Sequence, residues 1–371
     1  MEKYDLRSMD LAEMTELMGQ LGQPAFRAKQ LFGWVHEKQA AQIGQMHNLG
    51  KALLAQLEAQ CQLTALQLER RQCAQDGTEK FLFRLADGNY IECVLMRYRG
   101  DLSKQRNTLC ISSQVGCAMG CTFCATGQSG FVRNLTAGEI LSQVYEVNGL
   151  LAAEQDLSIG NVVFMGMGEP LLNLDNVLKS IRLLNDPQGQ QIGIRRMTVS
   201  TCGVVSRLYQ LAEEKLDIVL AVSLHAPNDA QRSSVMPVNR QYPLAQLMDA
   251  CHAYQKQTGK RISFEYALIA GFNDQREHVQ QLKQLLKGLD CHLNIIPVNP
   301  VANTAQFQRP DKKQVAAFVK ALQQAGLKAS VREDVSYVIL YFRIREVRCI
   351  LLPLKYFLKS LQHIRYTRLK S

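Results

Sequence analysis

Residues 109–132, LCISSQVGCAMGCTFCATGQSGFV, begin with a strand-like apolar run and then set Cys117, Cys121 and Cys124 in a loop with the spacing C-x3-C-x2-C. Three thiolates in one loop can converge on one metal centre. A cubane held by three cysteines keeps one iron without a protein ligand, much as a catalytic metal site keeps an open position, whereas electron-transfer clusters are closed by four. A zinc knuckle would need a second pair of ligands, and no nearby His or Cys follows Cys124. The open position is expected to take a cofactor.

Outward from this loop, strand and helix patterns alternate about six times. The apolar runs predict strands at 109–112, 162–165, 197–200, 218–223, 262–268 and 292–297. The helix after Leu135 is announced by a capping box, Thr136-x-x-Glu139, and a stripe of Ile140, Val144 and Val147. Later helices are expected over 274–288 and 311–326, each ending at a glycine suited to the C′ position. Six βα units with short loops predict an α/β protein, a partial (β/α)6 barrel whose ligands gather at the carboxyl ends of the strands. Residues 1–63 read as an N-terminal helical unit, with Leu11, Met14, Met18 and Leu21 in one helix and Phe26, Leu31, Trp34 and Val35 in a second. Residues 64–104 read as a small β-hairpin connector with strands at 80–85 and 90–96, 105–335 as the barrel core and 336–371 as a basic, apolar tail.

Composition bounds the class. The chain has 371 residues, 47% of them apolar and 20% charged, which suits a globular protein of two or three domains. The start, MEKYDLRSMD, lacks the apolar core of a signal peptide, and the long uncharged stretch 108–132 is too polar to span a bilayer. Eleven cysteines are then best read as reduced thiols or ligands in a reducing, cytoplasmic setting, without a membrane partner. Cys61, Cys73, Cys93, Cys251 and Cys291 are expected to be buried small hydrophobes. The net charge of +10 is a weak sign of RNA binding, because eight basic side chains and one acid in 336–371 account for +7 of it.

A second strand end reads Phe164-Met165-Gly166-Met167-Gly168-Glu169-Pro170. Glycine admits close approach of a ligand to the backbone, and Glu169 can accept from an ammonium group. With this loop and the cysteine loop, the segments VSTCG, SLHAPND and IPVNP make the chain similar to the radical S-adenosylmethionine superfamily, and within it to the RlmN-type RNA methyltransferases. The resemblance runs from residue 1 to about 332.

That resemblance implies one 4Fe-4S cluster on Cys117, Cys121 and Cys124, and S-adenosylmethionine, two per turnover, contacted by Gly168, Glu169, Ser200, Ser223, Leu224, His225 and Asn299. It implies methylation of adenine C2 in the peptidyl-transferase region of 23S rRNA and beside the anticodon in tRNA, by a monomer served by a donor such as flavodoxin or ferredoxin. In the family scheme a C-terminal cysteine is methylated, its methyl group becomes a radical that adds to C2, and a second cysteine releases the product by forming a disulfide. Cys110 matches the releasing cysteine, and Glu92 in YIECVLM matches the carboxylate that removes the C2 proton. The N-terminal unit, with Arg27, Lys29, Trp34 and Lys38, is the candidate RNA grip; the alternative is a merely structural cap.

The resemblance stops near Arg332. The family continues into an Ala-Ala-Cys-Gly run, and spacing would place its cysteine at Arg343; this tail has Cys349 alone, between Arg348 and Ile350. Cys349 is the candidate methyl carrier. Two alternatives stay open: a catalytically impaired iron–sulfur protein that binds S-adenosylmethionine and RNA, and a Cfr-like enzyme acting at adenine C8.

Overall fold

The computed structural model describes residues 3–99, 105–299 and 307–332. Seven parallel strands, Arg106–Cys110, Ile159–Phe164, Met197–Thr201, Val219–Ser223, Ile262–Leu268, Cys291–Pro297 and Ala329–Val331, lie side by side in sequence order. Helices including Ala137–Ala153, Leu174–Asn185, Leu244–Thr258 and Lys312–Gln324 make the crossovers, as a curling parallel sheet requires. The expected six strands are all present. The short seventh, Ala329–Val331, extends the sheet by one.

Register explains what each face does. Leu109, Val162, Val199, Leu220, Phe264 and Leu293 lie on one face and are fully buried. Each contributes about 1.5–3 kcal/mol when taken out of water. With this face packed on the helices, the opposite face is left for polar groups.

The connector is larger than a hairpin. Strands Gln67–Cys73, Glu79–Arg84 and Tyr90–Tyr98 form an antiparallel meander, and the third pairs with Arg106–Cys110, so the meander continues the barrel sheet. Cys61, Cys93, Cys251 and Cys291 are buried as expected, but Cys73 is exposed because it ends this edge strand, whose sequence QLERRQC is polar. Every described cysteine is free. Among the described residues no helix is long and apolar enough to cross a membrane.

In the N-terminal unit, Asp10 and Glu13 form a reciprocal capping box on Leu11–Gln20. The second helix, Phe26–Phe32, widens into a π turn over Gly33–Glu37. The unit is pinned to the helix Ala137–Ala153 by the buried Arg7, whose Nη1 donates to Ser142 Oγ (2.9 Å) and Glu146 Oε1 (3.0 Å). Beside it, buried His36 donates from Nε2 to the Met9 carbonyl (2.9 Å) and accepts at Nδ1 from the Tyr145 hydroxyl (2.8 Å).

Burial pushes His36 down to about 4, against the opposing pull of the Met9 carbonyl. An unfolded chain takes up this proton near pH 6.5, so the stabilisation is complete above that pH and is lost as the pH falls toward 4. We expect the loss to reach about 2 kcal/mol at pH 5. Denaturant unfolding of wild type and His36→Gln at pH 7 and pH 5 checks it; equal pH dependence of the two proteins would contradict it.

Candidate active site

The carboxyl ends of the parallel strands carry nearly every residue singled out by sequence. The cysteine loop follows Arg106–Cys110, Gly168 and Glu169 follow Ile159–Phe164, Ser200 is near the end of Met197–Thr201, Leu224 and His225 follow Ser223, and Asn299 follows Cys291–Pro297. Strand pairing adds a finer result. Val94 opposes Cys110, Leu82 opposes Glu92, Ala221 opposes Ser200, and Ser223, Glu265 and Asn294 stand in one row. Side chains alternate along a strand, so Glu92, Cys110, Ser200, Ser223, Glu265 and Asn294 all share the face opposite the apolar core.

The two loops are stapled together by backbone groups and by the Gln114 side chain. Ser113 N donates to the Met167 carbonyl (2.9 Å), Gly166 N to the Ile111 carbonyl (3.0 Å) and Glu169 N to Gln114 Oε1 (2.8 Å). The approach is so close that a Cβ on Gly168, whose φ is +105°, would lie 2.6 Å from Gln114 Cβ. Gly116, with φ +73°, is equally constrained: a Cβ there would lie 1.9 Å from the Gly130 carbonyl oxygen, at the root of the cysteine loop. No other residue type fits either position.

Within the site Glu169 is buried, accepting at Oε1 from Leu171 N (3.1 Å) and at Oε2 from Cys202 N (2.7 Å). Burial pushes its carboxyl up, and hydrogen bonds from Cys202, Thr201 and Leu171 pull the other way. His225 is buried in a left-handed conformation (φ +59°), accepts at Nδ1 from Ala267 N (2.9 Å) and meets Phe123 edge-on at 4.9 Å. Burial lowers it to about 3, so the ring is neutral. Asn299 Oδ1 accepts from Arg309.

Cys117 and Cys121 are buried and Cys124 is half-buried. Burial pushes Cys117 up to about 12 and raises Cys124, while a hydrogen bond from the Cys202 thiol pulls Cys121 down. Among the described residues no three such side chains are already arranged as a metal-ligand set. The donor set nevertheless fits a cubane: three thiols in one loop, Cys117 feeling both of the others and Cys124 feeling Cys121, beside the buried Glu169.

Sequence reasoning missed four neighbours. Cys202 touches both Cys121 and Glu169. Glu265 accepts at Oε1 from Asn294 Nδ2 (2.9 Å) and faces Arg332 at 3.7 Å. Arg232, fully buried, donates to the carbonyls of Cys202 (2.6 Å), Ser223 (3.1 Å) and Leu224 (3.2 Å), tying together the loops after two strands. Lys80 forms an ion pair with Glu92 at 2.6 Å. Only strand register, invisible without pairing partners, could have found Glu265 and Lys80. Cys349 and residues 336–371 lie outside the described residues.

Comparison with known proteins agrees with this geometry. The model of the radical SAM superfamily matches residues 111–282, and that of the ribosomal RNA large subunit methyltransferase N-terminal domain matches residues 4–63. A relative described as a "probable dual-specificity RNA methyltransferase RlmN", from Desulfitobacterium hafniense, is 48% identical over 335 residues, 90% of this chain and 93% of its own. One of the same description from Heliobacterium modesticaldum is 46% identical over 89% of this chain and 86% of its own. The crystal structure of a radical SAM methyltransferase from Sphaerobacter thermophilus superposes with a TM-score of 0.85 at 43% identity, covering 91% of this chain and 97% of that one. Identity at this level over nearly the whole of each partner, on a barrel that keeps the three-cysteine loop at its strand ends, places the chain in the RlmN family of radical SAM methyltransferases.

Proposed function

We propose that the chain methylates carbon 2 of adenine, in the peptidyl-transferase region of 23S rRNA and beside the anticodon of tRNA. The observation that supports this most is the shared sheet face: Glu92 and Cys110 are diagonal neighbours across paired strands, and Cys110 leads directly into the cysteine loop. C2 of adenine is an electron-poor C–H that cannot attack a methyl cation. A 4Fe-4S cluster held by Cys117, Cys121 and Cys124, with S-adenosylmethionine, supplies the radical chemistry that such a carbon demands.

The protein's own groups do the rest. Glu169 and Asn299 would hold the methionine end of S-adenosylmethionine by charge-assisted hydrogen bonds, and Gly168, Ser200, Ser223, Leu224 and His225 would contact the same cofactor. Glu92 takes the C2 proton. Cys110 releases product by pairing with the methyl-carrying cysteine; burial pushes its thiol up to about 11, against the pull of Arg332, so it holds its proton at neutral pH. Two molecules of S-adenosylmethionine serve each turnover, one for the methyl group and one for the radical.

The target adenine must leave its base stack to reach this face. Residues 1–63 are the RNA-gripping unit, with 64–104 as connector, 105–335 as core and 336–371 as tail. Lys38 lies over the Trp34 ring at 4.0 Å and Lys29 is exposed, whereas Arg27 is partly engaged by Gln30 and the Asn48 carbonyl. A monomeric, cytoplasmic enzyme drawing electrons from flavodoxin or ferredoxin fits this scheme. The atypical tail favours a second reading, a protein that keeps the cluster and S-adenosylmethionine but methylates poorly.

Cys110→Ala tests the assignment. In a chain competent to add its methylene carbon, it should still consume S-adenosylmethionine yet stall covalently attached to RNA, visible as a shifted band on a denaturing gel. Full multiple turnover would refute the role of Cys110.

A further inference from the structure

We propose that Lys80 is a positioning residue for the adenine chemistry: it holds the Glu92 carboxylate ionised and aimed within a buried site. This deepens the proposed function and rests on Glu92 being the base. Lys80 lies on strand Glu79–Arg84 and Glu92 on Tyr90–Tyr98; because Lys80 opposes Val94 and Val94 opposes Cys110, the ammonium, the carboxylate and the releasing thiol share one face.

The Lys80 side chain is 5% exposed and that of Glu92 is 23% exposed, and Nζ stands 2.6 Å from Oε2. A lysine this buried on a solvent-facing connector strand would be out of place; on the face that continues the barrel interior it has a partner and a purpose. The strand carrying Glu92 is fixed as well, since Ser112 Oγ donates to the Glu92 carbonyl at 2.5 Å. Ser112 opens the stretch that leads to the cysteine loop and its Oγ accepts from Met167 N (2.9 Å), so the Glu92 backbone is tied to both cofactor loops.

A base must be ionised when its proton arrives. Burial pushes the Glu92 carboxyl up and the Lys80 ammonium down, and each group opposes the other's shift. The remaining charged or titratable groups that strand pairing puts on this face of the meander are Arg70 on the outer strand, Arg84 on the Lys80 strand, Tyr90 and Tyr98 on the Glu92 strand, and Cys110 and Arg106 on the far side, with Arg332 acting on Cys110. Among the described residues Lys80 is the one charge resolved as acting on Glu92. When Glu92 accepts the C2 proton, the C–H electron pair stays with the purine and the carboxyl becomes neutral. Lys80 keeps its own proton throughout, so it tunes the base without exchanging anything with the substrate.

The test is a direct titration of Glu92 in the full chain with its cluster reconstituted and oxidised. Protein labelled with 13C at the glutamate carboxyl is followed by NMR against pH, and the Glu92 signal is assigned by its loss in Glu92→Gln. Removing an opposite charge at this range should raise the Glu92 midpoint in Lys80→Met by roughly 1–3 pH units, and Lys80→Arg should restore it. The pH profile of RNA methylation should move up with the midpoint. An unchanged midpoint in Lys80→Met, or in a milder Lys80→Gln if the first variant fails to fold, overturns the proposal. Glu92→Gln that methylates RNA as fast as its parent would separately end the base reading, and with it the reaction that Lys80 is proposed to serve.

Discussion

Cys121→Ala is expected to abolish the 4Fe-4S centre, leaving iron at background after anaerobic reconstitution. Two thiols on one loop cannot hold a cubane that already has an iron without a protein ligand. Cys121 is also the most activated of the three, because the Cys202 thiol donates to it. The same contact makes Cys202 a control: Cys202→Ser keeps a hydroxyl donor and should retain full iron, since Cys202 is not on the cysteine loop. Iron and sulfide analysis with the visible absorption spectrum reads both outcomes. A complete cubane in Cys121→Ala would contradict the ligand assignment.

The second large effect concerns the tail. A methyl-carrying cysteine must sit within contact distance of both the cofactor and the adenine, and a misplacement of about 1 Å can cost roughly 100-fold in rate. Cys349 comes six residues after the position that spacing assigns, Arg343, and is flanked by Arg348 and Ile350 where the family has small residues. We expect this chain to methylate RNA at least about 100-fold more slowly than the same chain ending in a restored Ala-Ala-Cys-Gly segment. Mass spectrometry after incubation with methyl-labelled S-adenosylmethionine decides it. Label on Cys349 together with robust C2 methylation that disappears in Cys349→Ala would show that the tail has found its own solution.

The barrel was legible because its strands are buried on at least one face and therefore apolar in sequence. The strand Ile262–Leu268 coincides with the stretch its apolar run predicts, and the capping box Thr136-x-x-Glu139 starts the helix Ala137–Ala153 as expected. Gln67–Cys73 was invisible for the converse reason: an edge strand almost wholly exposed carries no alternation. Ala329–Val331 is too short to show a period. The strand-end glycines and cysteines announced themselves through spacing within one loop. Glu265, Lys80 and Arg232 did not, because each acquires its role from partners distant in sequence.

The central claim is that the three-cysteine loop holds a cluster whose remaining iron is open to S-adenosylmethionine. Electron paramagnetic resonance of the reduced, reconstituted protein, recorded with and without saturating S-adenosylmethionine, tests it most directly. The account predicts that the cofactor shifts the spectrum of the cluster, and that Glu169→Gln weakens the shift without loss of iron. Identical spectra with and without the cofactor, in protein carrying a full complement of iron, would contradict it.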